Sequence, residues 1–138
     1  MPLQTHALPY RRTSDGLEIL LVTSRRKGKW ILPKGKIEAG ETAAQRAAIE
    51  AFEEAGVRGS VSAEPLLASS LADPSRAQIY PLAVLEELDQ WPEKAVRQRA
   101  WFSVPEARAR LQDEGTLRAL AAFSAMFSHA PRPSDPTG

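Results

Sequence analysis

Residues 35–57 read GKIEAGETAAQRAAIEAFEEAGV, and this stretch decides the fold. It predicts a polar loop followed by a helix, because Thr42 is a good N-cap and Gly56 a good C-terminal stop. With about 100° of rotation per residue, one side of this helix is apolar and mostly small, which allows close packing on a sheet. The residues of that side are Ala44, Ala47, Ala48, Ala51, Phe52 and Ala55.

The opposite side of the same helix carries Arg46, Glu50, Glu53 and Glu54. Two such carboxylates about 6 Å apart repel by roughly 3 kcal/mol at an effective dielectric constant near 20, whereas an Arg46–Glu50 pair returns about 0.3–0.5 kcal/mol. Two interpretations follow from this imbalance. The face is a solvated acidic surface, or it holds a divalent cation whose remaining ligands are phosphate oxygens.

The spacing of the glycines and glutamates resembles the signature of the Nudix hydrolases. That signature is Gly, five residues, Glu, seven residues, then Arg-Glu-apolar-any-Glu-Glu-any-Gly-apolar, and residues 35–57 match eight of its nine specified positions. The resemblance implies a Nudix-type α/β/α sandwich around a mixed β-sheet and metal-dependent hydrolysis of a phosphoanhydride bond. It also implies Mg²⁺, with Mn²⁺ as an alternative, held by the Lys34 carbonyl, Glu50 and Glu54, and a second ion held with help from Glu53.

Ile49 is the position that departs from the signature, which has arginine there. In relatives that arginine is implied to orient the glutamates through hydrogen bonds, and isoleucine can make none. Arg46, one turn earlier on the carboxylate side, is a candidate substitute. The alternative is a catalytically weakened Nudix-fold module that binds phosphorylated metabolites.

A further resemblance covers most of residues 7–113 and is to the diphosphoinositol polyphosphate phosphohydrolase branch of the family. It rests on residues 22–25 (VTSR), 30–33 (WILP), 84–91 (VLEELDQW) and 97–102 (RQRAWF). Members of that branch hold a highly phosphorylated ligand with basic residues. The candidates that this implies for substrate binding are Arg11, Arg25, Lys29, Lys34, Arg97 and Arg99.

The general base has more than one candidate. The family implies either a glutamate of the signature, which here is Glu50, or one on a later loop, which here is Glu86 or Glu87. The substrate is left open between a nucleoside diphosphate derivative and a diphosphoinositol polyphosphate, with ADP-ribose, a dinucleoside polyphosphate or a 5'-capped RNA end as alternatives. Relatives that prefer ADP-ribose often have a proline near the position of Pro74, but residues 73–75 (DPS) are equally typical of a turn.

The flanking sequence predicts alternating strands and helices. Residues 3–12 and 17–24 are β-rich and are separated by the turn signal at 13–16, so they predict a hairpin. The other predicted elements are a strand at 30–32, a loop at 33–36, strands around 60–72 and 77–88 with an edge or bulge at Pro81, a short strand at 101–102, a helix from Ser103 to near Gly115 and another from Thr116. We expect one domain over residues 1–130 and a disordered proline-rich tail at 131–138.

Composition limits the chemistry further. The chain has 138 residues, 43% of them hydrophobic, and no cysteine, so a disulfide framework, a thiolate nucleophile and a thiolate metal site are all excluded. A net charge of +1 hides two blocks: residues 10–36 carry +6, and residues 38–64 carry −4. This pattern is typical either of solvated surfaces or of a site where cations meet an anionic ligand beside a metal-binding carboxylate cluster.

Other function classes have less support. The serines lack a neighbouring base, His6 and His129 are isolated, and the basic stretches lack the interleaved aromatics of a single-strand platform. The sequence has no apolar run of membrane-spanning length and no signal-peptide order at its start. We therefore expect a soluble cytoplasmic protein whose partner is a phosphorylated small molecule, without membrane binding and without nucleic acid apart from a capped end. The oligomeric state is left open.

Overall fold

In a computed structural model, which describes residues 4–66 and 77–129, seven strands form one sheet and three helices cover it. The strands are β1 (Gln4–Thr13), β2 (Gly16–Thr23), β3 (Trp30–Ile31), β4 (Lys34–Lys36), β5 (Val57–Val61), β6 (Ala77–Glu87) and β7 (Arg99–Ser103). The helices are α1 (Ala43–Ala55), α2 (Val104–Arg110) and α3 (Glu114–His129).

The sheet is mixed, as predicted. β1 and β2 form the expected hairpin, with Thr13 opposite Gly16. β1 pairs in parallel with β6 and antiparallel with β4. β2 pairs antiparallel with β3 and β7, and β5 pairs antiparallel with β6.

The two faces of the sheet are covered by different helices. Successive residues of β1 and β2 point to opposite faces, so Ala7 and Leu20 pack under α1 whereas Leu8 and Ile19 pack under α2 and α3. The helical residues in the first cluster are Ala47, Ala51 and Ala55; those in the second are Ala107, Ala119, Leu120 and Phe123. The three-layer α/β/α sandwich that the resemblance implied is confirmed.

The ends of α1 follow the predicted signals. The Thr42 hydroxyl accepts the Gln45 N–H at 3.0 Å, and the Gln45 side chain accepts the Thr42 N–H at 2.8 Å. Gly56 ends the helix in the left-handed conformation, with φ of 68°, where a side chain would be strained. The predicted capping box of Ser103 and Glu106 is also present, at the start of α2.

Two predicted boundaries are wrong. Residues 33–36 are not all loop, because residues 34–36 pair with the start of β1 as β4. The helix after β7 ends at Arg110 rather than near Gly115, and α3 begins at Glu114 rather than Thr116. The reason is Asp113, whose carboxylate accepts the Thr116 N–H at 2.8 Å and so caps α3 earlier than predicted.

The interpretation of Pro81 as an edge or bulge is also wrong. β6 lies inside the sheet between β1 and β5, and its register shift falls at Arg58 and Gly59 of the partner strand. The Pro81 carbonyl still accepts the Ser62 N–H at 2.9 Å, so the pairing continues there although proline has no N–H to return.

Several predictions lie outside the described residues. They concern the turn at 73–75, Pro74, residues 67–72 of the strand predicted at 60–72, the tail at 131–138 and the side chain of His129. The part of that strand which the structure describes begins earlier than predicted, at Val57, directly after the end of α1. Among the helices described, none has the length and apolarity to span a membrane.

Candidate active site

The carboxylate face of α1 is covered by neighbouring loops. Glu50 is 8% exposed and Glu54 is 4% exposed, whereas Glu53 is half-buried. Burying a charged carboxylate costs several kcal/mol unless a cation or hydrogen-bond donors compensate. The solvated acidic surface is therefore excluded for Glu50 and Glu54, and what compensates their charge becomes the central question about the site.

Arg46 compensates Glu50. Its Nη1 lies 3.0 Å from Oε2 of Glu50, one helical turn later, and its Nε and Nη2 donate to the two carboxylate oxygens of Glu41 at 2.8 and 2.6 Å. Glu38 adds a longer contact to the same guanidinium, at 3.7 Å. These hydrogen bonds lower the pKa of Glu41 and raise that of Arg46, so both groups are charged at neutral pH. Arg46 therefore contacts the carboxylates, which is what a substitute for the signature arginine at position 49 has to do.

Glu54 is the most buried carboxylate of the face. It accepts the Lys34 N–H at 3.3 Å, and Nη2 of Arg97 lies 3.5 Å from its Oε2. Burial, followed by the neighbouring Glu50, nevertheless raises the pKa of Glu54 to about 8. The contacts with Lys34 and Arg97 thus do not fully balance this carboxylate, and a further positive charge would be bound favourably there.

Glu53 occupies the open side of the cluster. Its pKa is raised by burial and then by the charge of Glu50. Its half-exposed position leaves it accessible from solvent, whereas Glu50 and Glu54 are covered. Within this cluster, Glu54 is the carboxylate most covered from solvent and Glu53 is the most exposed.

These residues fit a hard divalent cation. Oxygen donors are what Mg²⁺ and Mn²⁺ prefer, and the face offers three carboxylates beside the backbone of Lys34. Within residues 4–66 and 77–129, no three acidic or imidazole groups already surround one point as ligands. In this structure Glu50 is paired with Arg46, and Glu54 is paired with Arg97.

The loop after β6 is fastened to the C-terminal end of α1. The last carbonyls of the helix need donors, and three of them come from this loop and from β7. The Glu93 N–H donates to the Glu53 carbonyl at 3.0 Å, and Nε1 of Trp91 donates to the Glu54 carbonyl at 3.0 Å. Nη1 of Arg99 donates to the Ala55 carbonyl at 2.9 Å, and its guanidinium stacks 3.9 Å from the ring centre of Trp91.

Arg97 and Arg99, both predicted to bind substrate, lie in different surroundings. Arg99 directs its donors at backbone carbonyls, including that of Leu88 at 2.6 Å, so it holds the loop. Arg97 is held by the Glu93 carboxylate at 2.7 Å and by the Thr23 carbonyl at 3.0 Å, with its side chain 9% exposed. Arg97 also lines a cavity, and Arg99 is not among the residues lining it.

That cavity has a volume of about 630 Å³ and lies between the loop after β2 and the loop before β7. Five of its eleven lining residues are cationic, namely Arg25, Arg26, Lys27, Lys94 and Arg97. Backbone groups shape its wall, since the Ser24 N–H donates to the Lys29 carbonyl at 2.7 Å. A concave surface with this charge is suited to an anionic ligand.

The other predicted site residues are distributed around this centre. The side chains of Lys29 and Lys34 are exposed, and Lys29 lies beside the cavity wall. Lys34 contacts Glu54 through its backbone N–H. Burial of His6 and hydrogen bonding of Asp113 lower the pKa values of these two groups, and the charge of the Lys34 side chain adds to both shifts. Arg11 pairs with Glu18 at 2.8 Å and stacks 4.0 Å from the ring centre of Trp101.

The two later candidates for the general base make ion pairs with other residues. Glu86 lies 3.6 Å from Arg58, and Glu87 lies 3.8 Å from Arg11 and 3.6 Å from Arg99. These partners place Glu87 near the end of α1, next to the loop that Arg99 holds, and Glu86 beside β5.

Comparison with known proteins settles the family. The chain matches the family model of the NUDIX domain over residues 4–123. The protein belongs to the Nudix family. It is 35% identical over 117 residues to Nudix hydrolase 17, mitochondrial, of Arabidopsis thaliana, an alignment that covers 77% of this chain and 64% of that protein. It is 37% identical over 104 residues to diphosphoinositol polyphosphate phosphohydrolase 2 of Rattus norvegicus, covering 73% of this chain and 58% of that one.

This Nudix chain thus spans less than two thirds of the length of these two relatives. Among solved structures, a C. elegans Ap4A hydrolase in a binary complex superposes with a TM-score of 0.67 and 19% identity. The match covers 93% of this chain and 98% of that one. At this identity the likeness shows a shared fold.

Three residues that shape the site in this Nudix domain were not predicted from the sequence. They are Glu41 as a partner of Arg46, Glu93 as a partner of Arg97, and Trp91 as a donor to α1. The i, i+4 spacing of Glu93 and Arg97 was visible in the sequence and is typical of a helical ion pair. The contact of Trp91 spans 37 residues and leaves no local signal.

Proposed function

We propose that this Nudix protein is a metal-dependent hydrolase of phosphoanhydride bonds. The observation that carries the proposal is the position of Arg97, which lies 3.5 Å from the Glu54 carboxylate and also lines the basic cavity. One residue thereby connects an acidic face suited to a cation with a basic cavity suited to an anion. Hydrolysis of a phosphoanhydride requires both, because the phosphates must be held while a water molecule is activated beside them.

The acidic residues have distinct proposed roles. Glu50, Glu54 and the Lys34 carbonyl would hold the first ion, and Glu53, which is more exposed, would help to hold a second. A divalent ion bound there supplies neutralisation of phosphate charge and lowers the pKa of a coordinated water molecule. Mg²⁺ is our first choice and Mn²⁺ the alternative, because the donors are all oxygen.

Glu50 is our candidate general base. It lies between Glu53 and Glu54 on the helix face, so a proton released from the attacking water would reach it over a short path. Glu86 and Glu87 are weaker candidates because their ion pairs with Arg58, Arg11 and Arg99 direct them away from this face. Replacing each of Glu50, Glu86 and Glu87 with glutamine and measuring kcat at saturating Mg²⁺ together with Mn²⁺ affinity distinguishes them. Loss of the base lowers kcat with little change in substrate affinity, whereas loss of a metal ligand weakens Mn²⁺ binding as well.

We propose that the substrate carries several phosphates. Five cations around a cavity of about 630 Å³ exceed what one diphosphate requires, which favours a diphosphoinositol polyphosphate over ADP-ribose. The names of relatives agree with this class, since one is a diphosphoinositol polyphosphate phosphohydrolase and a structural neighbour is an Ap4A hydrolase. A nucleoside diphosphate derivative is the second candidate because its shorter phosphate chain fits the same cavity.

The test is release of phosphate or nucleotide from a panel with and without Mg²⁺. The panel contains a diphosphoinositol polyphosphate, ADP-ribose, a dinucleoside polyphosphate and a 5'-capped RNA. We expect Mg²⁺-dependent turnover that is fastest with the inositol compound. Binding of these compounds without turnover of any of them, at saturating Mg²⁺, would overturn the proposal in favour of the binding module.

A further inference from the structure

Arg46 lies at the centre of the network that fixes the acidic face. It is 9% exposed and contacts Glu41 through two parallel hydrogen bonds and Glu50 through a third. A guanidinium offers donors in a rigid fork, so these three bonds determine where both carboxylates lie. Ile49, at the position where the family signature has arginine, has an apolar side chain that can make no hydrogen bond.

We propose that Arg46 is a positioning residue, which holds the metal-binding carboxylate of Glu50 in place from a position three residues earlier than the arginine of the family signature. This inference rests on the proposed function, because the purpose of the positioning is metal binding. According to this proposal, Arg46 does the work of the signature arginine, and the presence of Ile49 at the signature position therefore does not lower activity.

The first support for this proposal is the geometry of the helix. Positions 46 and 50 are one turn apart and lie on the same face, so Arg46 reaches Glu50 without bending the backbone. Arg46 comes before Glu50 in the chain, and Glu41 lies just before the helix N-terminus. The guanidinium therefore bridges the loop and the helix face.

The second support is what Glu41 connects. Its Oε1 also accepts the Glu38 N–H at 2.9 Å, so Arg46, Glu41 and Glu38 together fasten the loop that leads from β4 to α1. That loop directly follows β4, whose Lys34 and Gly35 lie against Glu54 and Glu50. Loss of Arg46 would therefore release a metal-binding carboxylate and loosen the loop next to the strand that contributes the backbone ligand.

The third support is a division of charge across the face. Arg46 serves Glu50 and Arg97 serves Glu54, so each buried carboxylate has its own arginine. An arginine at position 49 could reach Glu53, one turn later, and so add charge on the open side of the cluster. Arg46 instead places its charge on the covered side, where burial makes it most effective.

The test measures Mn²⁺ affinity by electron paramagnetic resonance, together with kcat and KM, for wild type, Arg46→Ala, Ile49→Arg and the double variant Arg46→Ala/Ile49→Arg. Arg46→Lys keeps one charge but loses the fork, and it serves if Arg46→Ala does not fold. The matched control is Arg118→Ala, which removes an exposed i, i+4 pair with Glu114 at the same type of spacing.

We expect Arg46→Ala to weaken Mn²⁺ binding and to lower kcat, each by about 10- to 100-fold, with KM nearly unchanged. Arg46→Lys should fall between this variant and wild type, and Ile49→Arg should be close to wild type. The double variant should recover little of the loss, because an arginine at position 49 reaches Glu53 and does not face Glu50. Unchanged Mn²⁺ affinity in Arg46→Ala, or in Arg46→Lys if only that variant folds, would overturn the proposal.

The two proposals fail differently. If wild type binds Mn²⁺ but hydrolyses nothing, the proposed function fails while the Mn²⁺ measurements still test the role of Arg46. If wild type is active and Arg46→Ala retains both its Mn²⁺ affinity and its kcat, the proposed function stands and the role of Arg46 is wrong.

Discussion

The Glu50 carboxylate lies directly against the Cα of Gly35. A Cβ added at Gly35 would overlap the carboxylate carbon and one oxygen of Glu50, and it would lie 2.8 Å from the Cγ atom. Gly35, the first glycine of the signature, is therefore required because any side chain there would collide with Glu50. Backbone conformation is not the reason, since Gly35 is not among the glycines with a positive φ. Gly35 in β4 and Glu50 in α1 are thus in direct contact.

Gly35→Ala should displace Glu50 and reduce activity. Glu50 cannot simply swing aside, because Arg46 holds it at 3.0 Å. We expect kcat to fall by about 10- to 100-fold and Mn²⁺ affinity to fall with it. Gly115→Ala in α3 is the control, since a Cβ there meets only the Asp113 carboxylate, at 3.3 Å, and should leave kcat unchanged. Wild-type Mn²⁺ affinity in Gly35→Ala would contradict this prediction.

Glu54→Gln should abolish stabilisation by metal. Glutamine keeps the shape of the side chain and removes the charge, so the ion loses its most buried ligand. Wild type should show a higher Tm with Mg²⁺ or Mn²⁺ than without, because a ligand that binds the folded state stabilises it. Glu114→Gln, in an exposed pair on α3, should respond to metal as wild type does. Equal stabilisation of wild type and Glu54→Gln would show that the ion binds elsewhere.

The metal-free protein should lose stability as the pH rises from about 6.5 to about 8, since below 6.5 the opposite effect of His6 offsets that of Glu54. The pKa of Glu54 is raised to about 8 by burial and by Glu50, so the folded state keeps a proton that the unfolded state has released above 4.5. Folding therefore binds a proton in this window, and the free energy of unfolding falls as the pH increases. Urea unfolding across this range should show the decline in wild type and a flatter profile in Glu54→Gln.

His6 gives an opposite trend at lower pH, which serves as an internal reference. Burial, followed by the charge of Lys34, lowers its pKa from 6.5 to about 4. The unfolded state therefore takes up a proton that the folded state does not, and stability falls as the pH drops from 6.5 to 4. This loss of stability between pH 6.5 and pH 4 should also be seen in Glu54→Gln, and its absence would indicate a general change in the fold.

Arg97→Ala should affect substrate binding, whereas Arg99→Ala should affect stability. Arg97 lines the cavity and contacts Glu54, so its loss should raise KM more for a diphosphoinositol polyphosphate than for ADP-ribose. Removing one charge-assisted hydrogen bond to a desolvated ligand costs about 1.5–3 kcal/mol. Arg99 donates to the end of α1 and to Leu88, so its loss should lower the free energy of unfolding by a similar amount. Equal KM increases for both substrates in Arg97→Ala would count against a polyphosphate pocket.

The features predicted correctly from the sequence depend on neighbours in the chain. The hairpin at residues 13–16, the capping of α1 by Thr42 and its end at Gly56 each follow from a few adjacent residues. The carboxylate face follows in the same way from helical periodicity. Its burial could not be predicted, because the segments that cover it, residues 33–41 and 88–97, lie outside the helix.

The features missed depend on long-range contacts. Arg99 lies 44 residues from the Ala55 carbonyl that it caps, and Arg97 lies 74 residues from the Thr23 carbonyl. The basic run at 97–99 showed two cations of the same kind. Their surroundings differ because Arg99 begins β7, whereas Arg97 lies in the loop before it. The capping of α3 by Asp113 was missed for a simpler reason, since Gly115 and Thr116 offered a competing boundary signal.

The most direct measurement of the central claim is ³¹P NMR of a diphosphoinositol polyphosphate incubated with the protein and Mg²⁺. We predict that the diphosphate resonances disappear and inorganic phosphate appears with wild type, that this stops when Mg²⁺ is chelated, and that Glu54→Gln is inactive at any Mg²⁺ concentration. Persistent diphosphate resonances with folded, Mg²⁺-bound wild type, or hydrolysis by Glu54→Gln at the wild-type rate, would contradict the claim.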